Sequence, residues 1–86
     1  MPTLSVFYGI TIQMYWQDHG PPHFHAQYGD FEAVIGIRDL RVTRGFLPRR
    51  ALVLVIEWAI EHRDELQEDW DLCSAMKTPN PIAPLK

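Results

Sequence analysis

Along residues 4–16 the apolar side chains Val6, Tyr8, Ile10, Ile12, Met14 and Trp16 alternate with Ser5, Gly9, Thr11 and Gln13. A period of two marks a strand with one buried face, so the stretch predicts one long strand with Gly9 as a bulge or bend in its middle. The following Asp18-His19-Gly20-Pro21-Pro22 stops it, because two prolines fix φ and remove two backbone donors. The result is a stiff loop.

Residues 23–28 and 31–37 read as two further strands joined at Gly29-Asp30, residue types that tolerate the positive φ of a tight hairpin turn. That turn fixes the register: Tyr28 opposite Phe31, Gln27 opposite Glu32, Ala26 opposite Ala33, His25 opposite Val34, Phe24 opposite Ile35 and His23 opposite Gly36. Phe24, Ala26, Tyr28, Phe31, Ala33 and Ile35 then share an apolar face. The other face turns His23, His25, Gln27 and Glu32 to solvent. Residues 40–43 offer a short additional edge strand.

Pro48 suits a first helical position, and the pattern from there predicts a single helix over residues 48–74. Its core stripe is Leu52, Val55, Ile56, Ala59, Leu66 and Trp70, while Val53, Leu54, Trp58 and Ile60 make the first half apolar nearly all round. A small sheet covers only one side of such a helix. The rest calls for a curled sheet, the tail or a second subunit, which makes Trp58 and Leu54 candidate interface residues of a homo-oligomer. Prolines at 79, 81 and 84 exclude helix from residues 78–86 and predict an extended, polyproline-like tail. The expected architecture is α+β, one domain over residues 1–86: a small curled antiparallel sheet of three to four strands, one long C-terminal helix and a Pro-rich tail.

At 86 residues, 47% of them hydrophobic, the chain can build one modest core without metal or disulfide staples. A single cysteine, Cys73, excludes an intrachain disulfide and suits a reducing compartment, so the expected location is the cytoplasm. The first five residues lack the features of a signal peptide and the longest aliphatic run ends at Glu57, so no membrane segment is expected. A net charge of -3 argues against bulk attraction to nucleic acid and leaves only a weak case for such a partner. The charge is nevertheless uneven. Arg38, Arg41, Arg44, Arg49 and Arg50 crowd one stretch, and most acidic residues follow on the helix.

His23 and His25, two apart on a strand, point both imidazoles to one face, where they can hold a metal or exchange protons near neutral pH. A zinc-type site needs three or four ligands, and His19, Asp18, Glu32, His62 and Cys73 are the residues available to complete it. His23, His25 and His19 are the leading ligand set, with a divalent transition metal as candidate cofactor. His23 and His25 are equally candidate catalytic residues, or structural caps on backbone groups freed by the prolines. Arg49 and Arg50 stand in the first helical turn, where the dipole disfavours cations. They form either an anion-binding point or ion pairs with acidic groups.

One set of residues carries a family resemblance. It comprises Phe7-Tyr8-Gly9-Ile10, Asp18-His19-x-Pro21-Pro22-His23-Phe24-His25-Ala26-x-Tyr28-Gly29, Glu32-Ala33-x-Ile35, Leu47-Pro48-x-Arg50-Ala51, Glu57-Trp58 and His62-Arg63. Together these resemble the small bacterial proteins of the domain of unknown function 4160 family. The resemblance implies a genetic setting beside a second small gene, as in toxin–antitoxin modules, and implies no activity, cofactor or catalytic residue. The leading expectation is therefore a protein-interaction component of such a two-gene module, binding a small partner protein through the apolar helix and the charged ends. The alternatives are a metal-assisted or histidine-based phosphodiesterase or ribonuclease, with Arg49 and Arg50 holding phosphate, and a module that binds a small anionic ligand.

Overall fold

Tyr8 and Gly9 both take positive φ, 50° and 79°, and the chain reverses there. Two adjacent positive φ values are what a two-residue type I′ hairpin turn requires. The structure, a computed structural model describing residues 2–86, therefore divides the expected first strand into β1 (Thr3–Phe7) and β2 (Ile10–Gln13), with Phe7 opposite Ile10. β3 (His23–Tyr28), β4 (Phe31–Gly36) and β5 (Val42–Gly45) complete a five-stranded antiparallel meander in sequence order. The expectation of three to four strands is thus corrected to five. The Tyr8-Gly9 turn also reverses the parity of burial: Phe7 faces the core with Ile10 and Ile12, while Val6 and Tyr8 are exposed.

The β3–β4 hairpin has the register expected from its turn, all six pairs from His23 opposite Gly36 to Tyr28 opposite Phe31. Gly29 supplies the positive φ. Phe24, Ala26, Ala33 and Ile35 are buried on one face, whereas Tyr28 and Phe31, at the turn end, lie largely in solvent.

A second correction concerns the helix. α1 (Arg49–Glu61) and α2 (Arg63–Ser74) are separate, because His62 leaves helical geometry at φ -124° and ψ 24°. Asp64 and Glu65 then place negative charge in the first turn of α2, where the dipole favours it, and Glu65 accepts from His62 Nδ1. Val55, Trp58 and Ala59 of α1 and Leu66 and Cys73 of α2 pack on the sheet face formed by Ile10, Ile12, Met14, Phe24 and Ile35. Leu52 and Ile56 are only partly buried at the margin.

The tail supplies part of the missing cover, over Trp58, while Val53 and Ile60 stay exposed. Residues 77–86 have no regular secondary structure; Ile82 is buried and its N–H donates to the Leu4 carbonyl at 2.8 Å, while Ala83 accepts from the Trp58 indole. Trp58 is 0% exposed and packs on Phe7 and Phe24. Its assignment to an interface is therefore corrected to the core of the single chain. Leu54 is half-buried at the margin of that core. Among the described residues no helix is long and apolar enough to cross a membrane.

Candidate metal centre

The loop before β3 is pinned by its neighbours. Gln17 N–H donates to the Cys73 carbonyl at 3.2 Å and the Trp16 indole donates to the Lys77 carbonyl at 3.1 Å, so the end of α2 and the segment after it hold Asp18 against the start of β3. Asp18 Oδ2 stands 2.8 Å from His23 Nε2 and 3.5 Å from His25 Nε2. One ligand atom from each of Asp18, His23 and His25 lies within 4.8 Å of the other two. His19, the third ligand expected from the sequence, is exposed, and only its backbone N–H reaches Asp18. Asp18, and not His19, stands with the two histidines. His62 is occupied by Glu65 and Trp58, and Cys73 is buried in the core, so neither reaches the cluster.

The histidine face is not open to solvent, as the sequence pattern suggested. His25 is 8% exposed, stacked under Tyr15 at 4.1 Å between ring centres, and His23 packs on Trp70 at 4.9 Å. The register is right; the cover comes from the residues just after β2 and from α2, which a two-strand register does not include.

The outer nitrogens of both rings are committed. His23 Nδ1 is 2.9 Å from the Pro21 carbonyl, which can only accept, so this nitrogen carries the proton. His25 Nδ1 is 3.1 Å from Glu32 Oε2 and donates to that carboxylate. In a neutral ring Nε2 is then a lone pair, and both lone pairs point at a carboxylate oxygen. A proton shared between ring and carboxyl would satisfy the short contact, and so would a metal ion held by all three atoms. Burial pushes the Asp18 carboxyl upward, but bonds from the His19 amide, His23 and His25 outweigh it and hold the group below its ordinary value. Burial first, then the Glu32 and Asp18 charges, raise the Tyr15 phenol.

Beside the cluster opens a cleft of about 370 Å³, lined by Tyr15, Asp18, His25, Glu32, Val34 and Arg44 among others. Arg49 and Arg50, the expected anion site, are exposed in the first turn of α1 and line no part of it. Arg50 borders a separate cleft with Tyr8 and Tyr28. Among the described residues neither arginine has a carboxylate at ion-pair distance. Sequence reasoning singled out neither Tyr15 nor Arg44. Arg44 was legible only through the β4–β5 pairing, which sets it opposite Val34.

A family model covers the Pro-Pro-His-Phe-His segment, both hairpin strands and the helices as far as Asp71. The chain belongs to the family described as Domain of unknown function (DUF4160). The match spans residues 9–71 and so includes every member of the Asp18, His23, His25 cluster together with Glu32 and Arg44. No curated protein and no solved structure matches this DUF4160 chain.

Proposed function

We propose that this DUF4160 protein binds a divalent transition metal through Asp18, His23 and His25 and presents it to the adjoining cleft. The observation that carries the reading is the convergence of three acceptor atoms whose second partners are already in place. Ligands 2.0–2.1 Å from a tetrahedral zinc stand roughly 3.3 Å apart, and the separations from Asp18 Oδ2 are 2.8 and 3.5 Å. A carbonyl and a carboxylate behind the two imidazoles are the partners that metal-bound histidines ordinarily have, fixing tautomer and ring orientation. Three protein ligands leave at least one coordination position for water or substrate, the arrangement of catalytic rather than structural zinc sites. Two imidazoles and one carboxylate suit zinc and the other late first-row divalent ions better than magnesium or calcium.

The partner-binding reading rests on the apolar helix, and the tail covers Trp58 there, so the metal site is the better supported of the two. Calorimetric titration of metal-free protein with zinc tests the proposal. One equivalent should bind, and His23→Ala with His25→Ala should weaken binding about 100-fold or more, as expected when two ligands are lost. Absence of stoichiometric binding, or binding indifferent to the double substitution, rejects it.

A further inference from the structure

Gln13, His25, Val34 and Arg44 stand opposite one another on four successive strands, so their side chains form one row across the same face of the sheet. With strands about 4.8 Å apart, the Arg44 backbone lies roughly 10 Å from that of His25. The residue between them is Val34, buried and short, and Arg44 beyond it lines the same cleft as His25. Glu32, two residues before Val34 on the same face, closes the floor by accepting from His25.

Charge distinguishes what this space can hold. A divalent ion at the cluster is offset by the carboxylates of Asp18 and Glu32. Arg44, with no ion-pair partner among the described residues, leaves the cleft with one unbalanced positive charge. The matching ligand carries one negative charge. It also needs two oxygen atoms, one for the metal's open position and one for the guanidinium, whose planar donor fork suits an oxyanion better than an ammonium would. A phosphate monoester, with nearly two negative charges at neutral pH, overshoots the count.

Resting on the metal reading above, we propose that the cleft is a binding site for a singly charged oxyanion with two equivalent oxygens, the group presented by a phosphodiester or a carboxylate. The metal takes one oxygen and Arg44 the other. Arg44, not Arg49 or Arg50, is then the anion-binding residue of this fold.

The test uses the full chain loaded with cobalt(II), whose visible spectrum reports changes in its own coordination, and two probes, dimethyl phosphate and acetate. Cobalt stoichiometry is measured first, in the wild type and in Arg44→Gln. A wild type that takes up no cobalt overturns the metal reading, and this inference with it. With both proteins loaded, at least one probe should change the wild-type spectrum saturably. Its apparent affinity should fall about tenfold in Arg44→Gln and recover in part in Arg44→Lys. The probe that binds more tightly names the chemical source of the oxyanion. A loaded protein whose spectrum responds to neither probe, or responds equally with and without Arg44, overturns the inference and leaves the metal site standing.

Discussion

The indole N–H of Trp58 donates to the Ala83 carbonyl at 2.8 Å, joining the last turn of α1 to the C-terminal tail. Trp58→Ala should therefore cost about 3–5 kcal/mol, as loss of a fully buried large side chain does. Trp58→Phe, which keeps most of the packing, should also forfeit the hydrogen bond, worth about 1 kcal/mol. Urea melts give both values. An alanine variant that stays near wild-type stability but changes its association state would return Trp58 to an interface.

Asp69 is 1% exposed on α2, accepts from the Asn80 N–H at 2.8 Å, and has its second oxygen buried without a partner. Burial is the main reason its carboxyl is raised; the charges of Glu68 and Glu65 add to this and the Asn80 amide opposes it. The sign follows from proton binding. A folded-state value above the unfolded one means that the native chain holds the proton longer. The stabilisation is thus complete below the unfolded value, about 3.9, and is lost as pH rises through the folded one. Asp69→Asn keeps an acceptor for Asn80 and carries no charge, so it should be more stable than wild type at pH 7, by on the order of 1 kcal/mol. The advantage should shrink toward pH 4, which paired melts at the two pH values will show.

Gly45 sits at φ +80° with the Glu32 carbonyl oxygen 2.2 Å from where a Cβ would stand and the Ala33 Cα 3.0 Å away. Both obstacles are backbone and cannot swing aside. Gly45→Ala should cost at least about 2 kcal/mol, strain and clash together. Gly20→Ala, with φ +88° but open space around it, should cost about 1 kcal/mol. Equal losses in denaturant melts would refute the packing argument.

His25, between Tyr15 and Glu32, should cost about 1–3 kcal/mol on replacement by alanine even without metal, because its Glu32 and stacking contacts are partly buried. Exposed His19 should stay within about 0.5 kcal/mol. Zinc at 100 times its dissociation constant should add about 2.7 kcal/mol to wild-type stability and almost nothing to His25→Ala. Thermal melts with and without zinc separate the structural from the ligand contribution.

The register of the β3–β4 hairpin was legible because its turn and its alternation agree on the same pairing, although the burial of His25 and the exposure of Tyr28 and Phe31 were not. Tyr8-Gly9 was not, since a tyrosine at positive φ has none of the Asn or Asp chemistry that usually announces such a turn, and alternation counted straight through it puts Val6 and Tyr8 inside. The break at His62 did leave a signal, the acidic pair Asp64-Glu65 opening a new helical turn, but no glycine or proline draws attention to it. At the site, strand periodicity alone placed His23 and His25 together. Asp18 was within view as one of several ligands. Its selection over His19 depends on the pinning of Gln17 and Trp16 by the end of α2 and the segment after it, a tertiary contact that local pattern does not encode. Asp69 reads as one more acid on a solvated helix until the tail folds over it.

The tail has one more effect. A meander has two outer strands, and each is an invitation to pair with backbone from elsewhere. Here β1 has the Leu4 carbonyl already taken by the Ile82 N–H of the tail. β5, four exposed residues long and bearing Arg44, forms the other border. An incoming strand would find the acceptor at Leu4 already occupied, so β1 is the better guarded of the two.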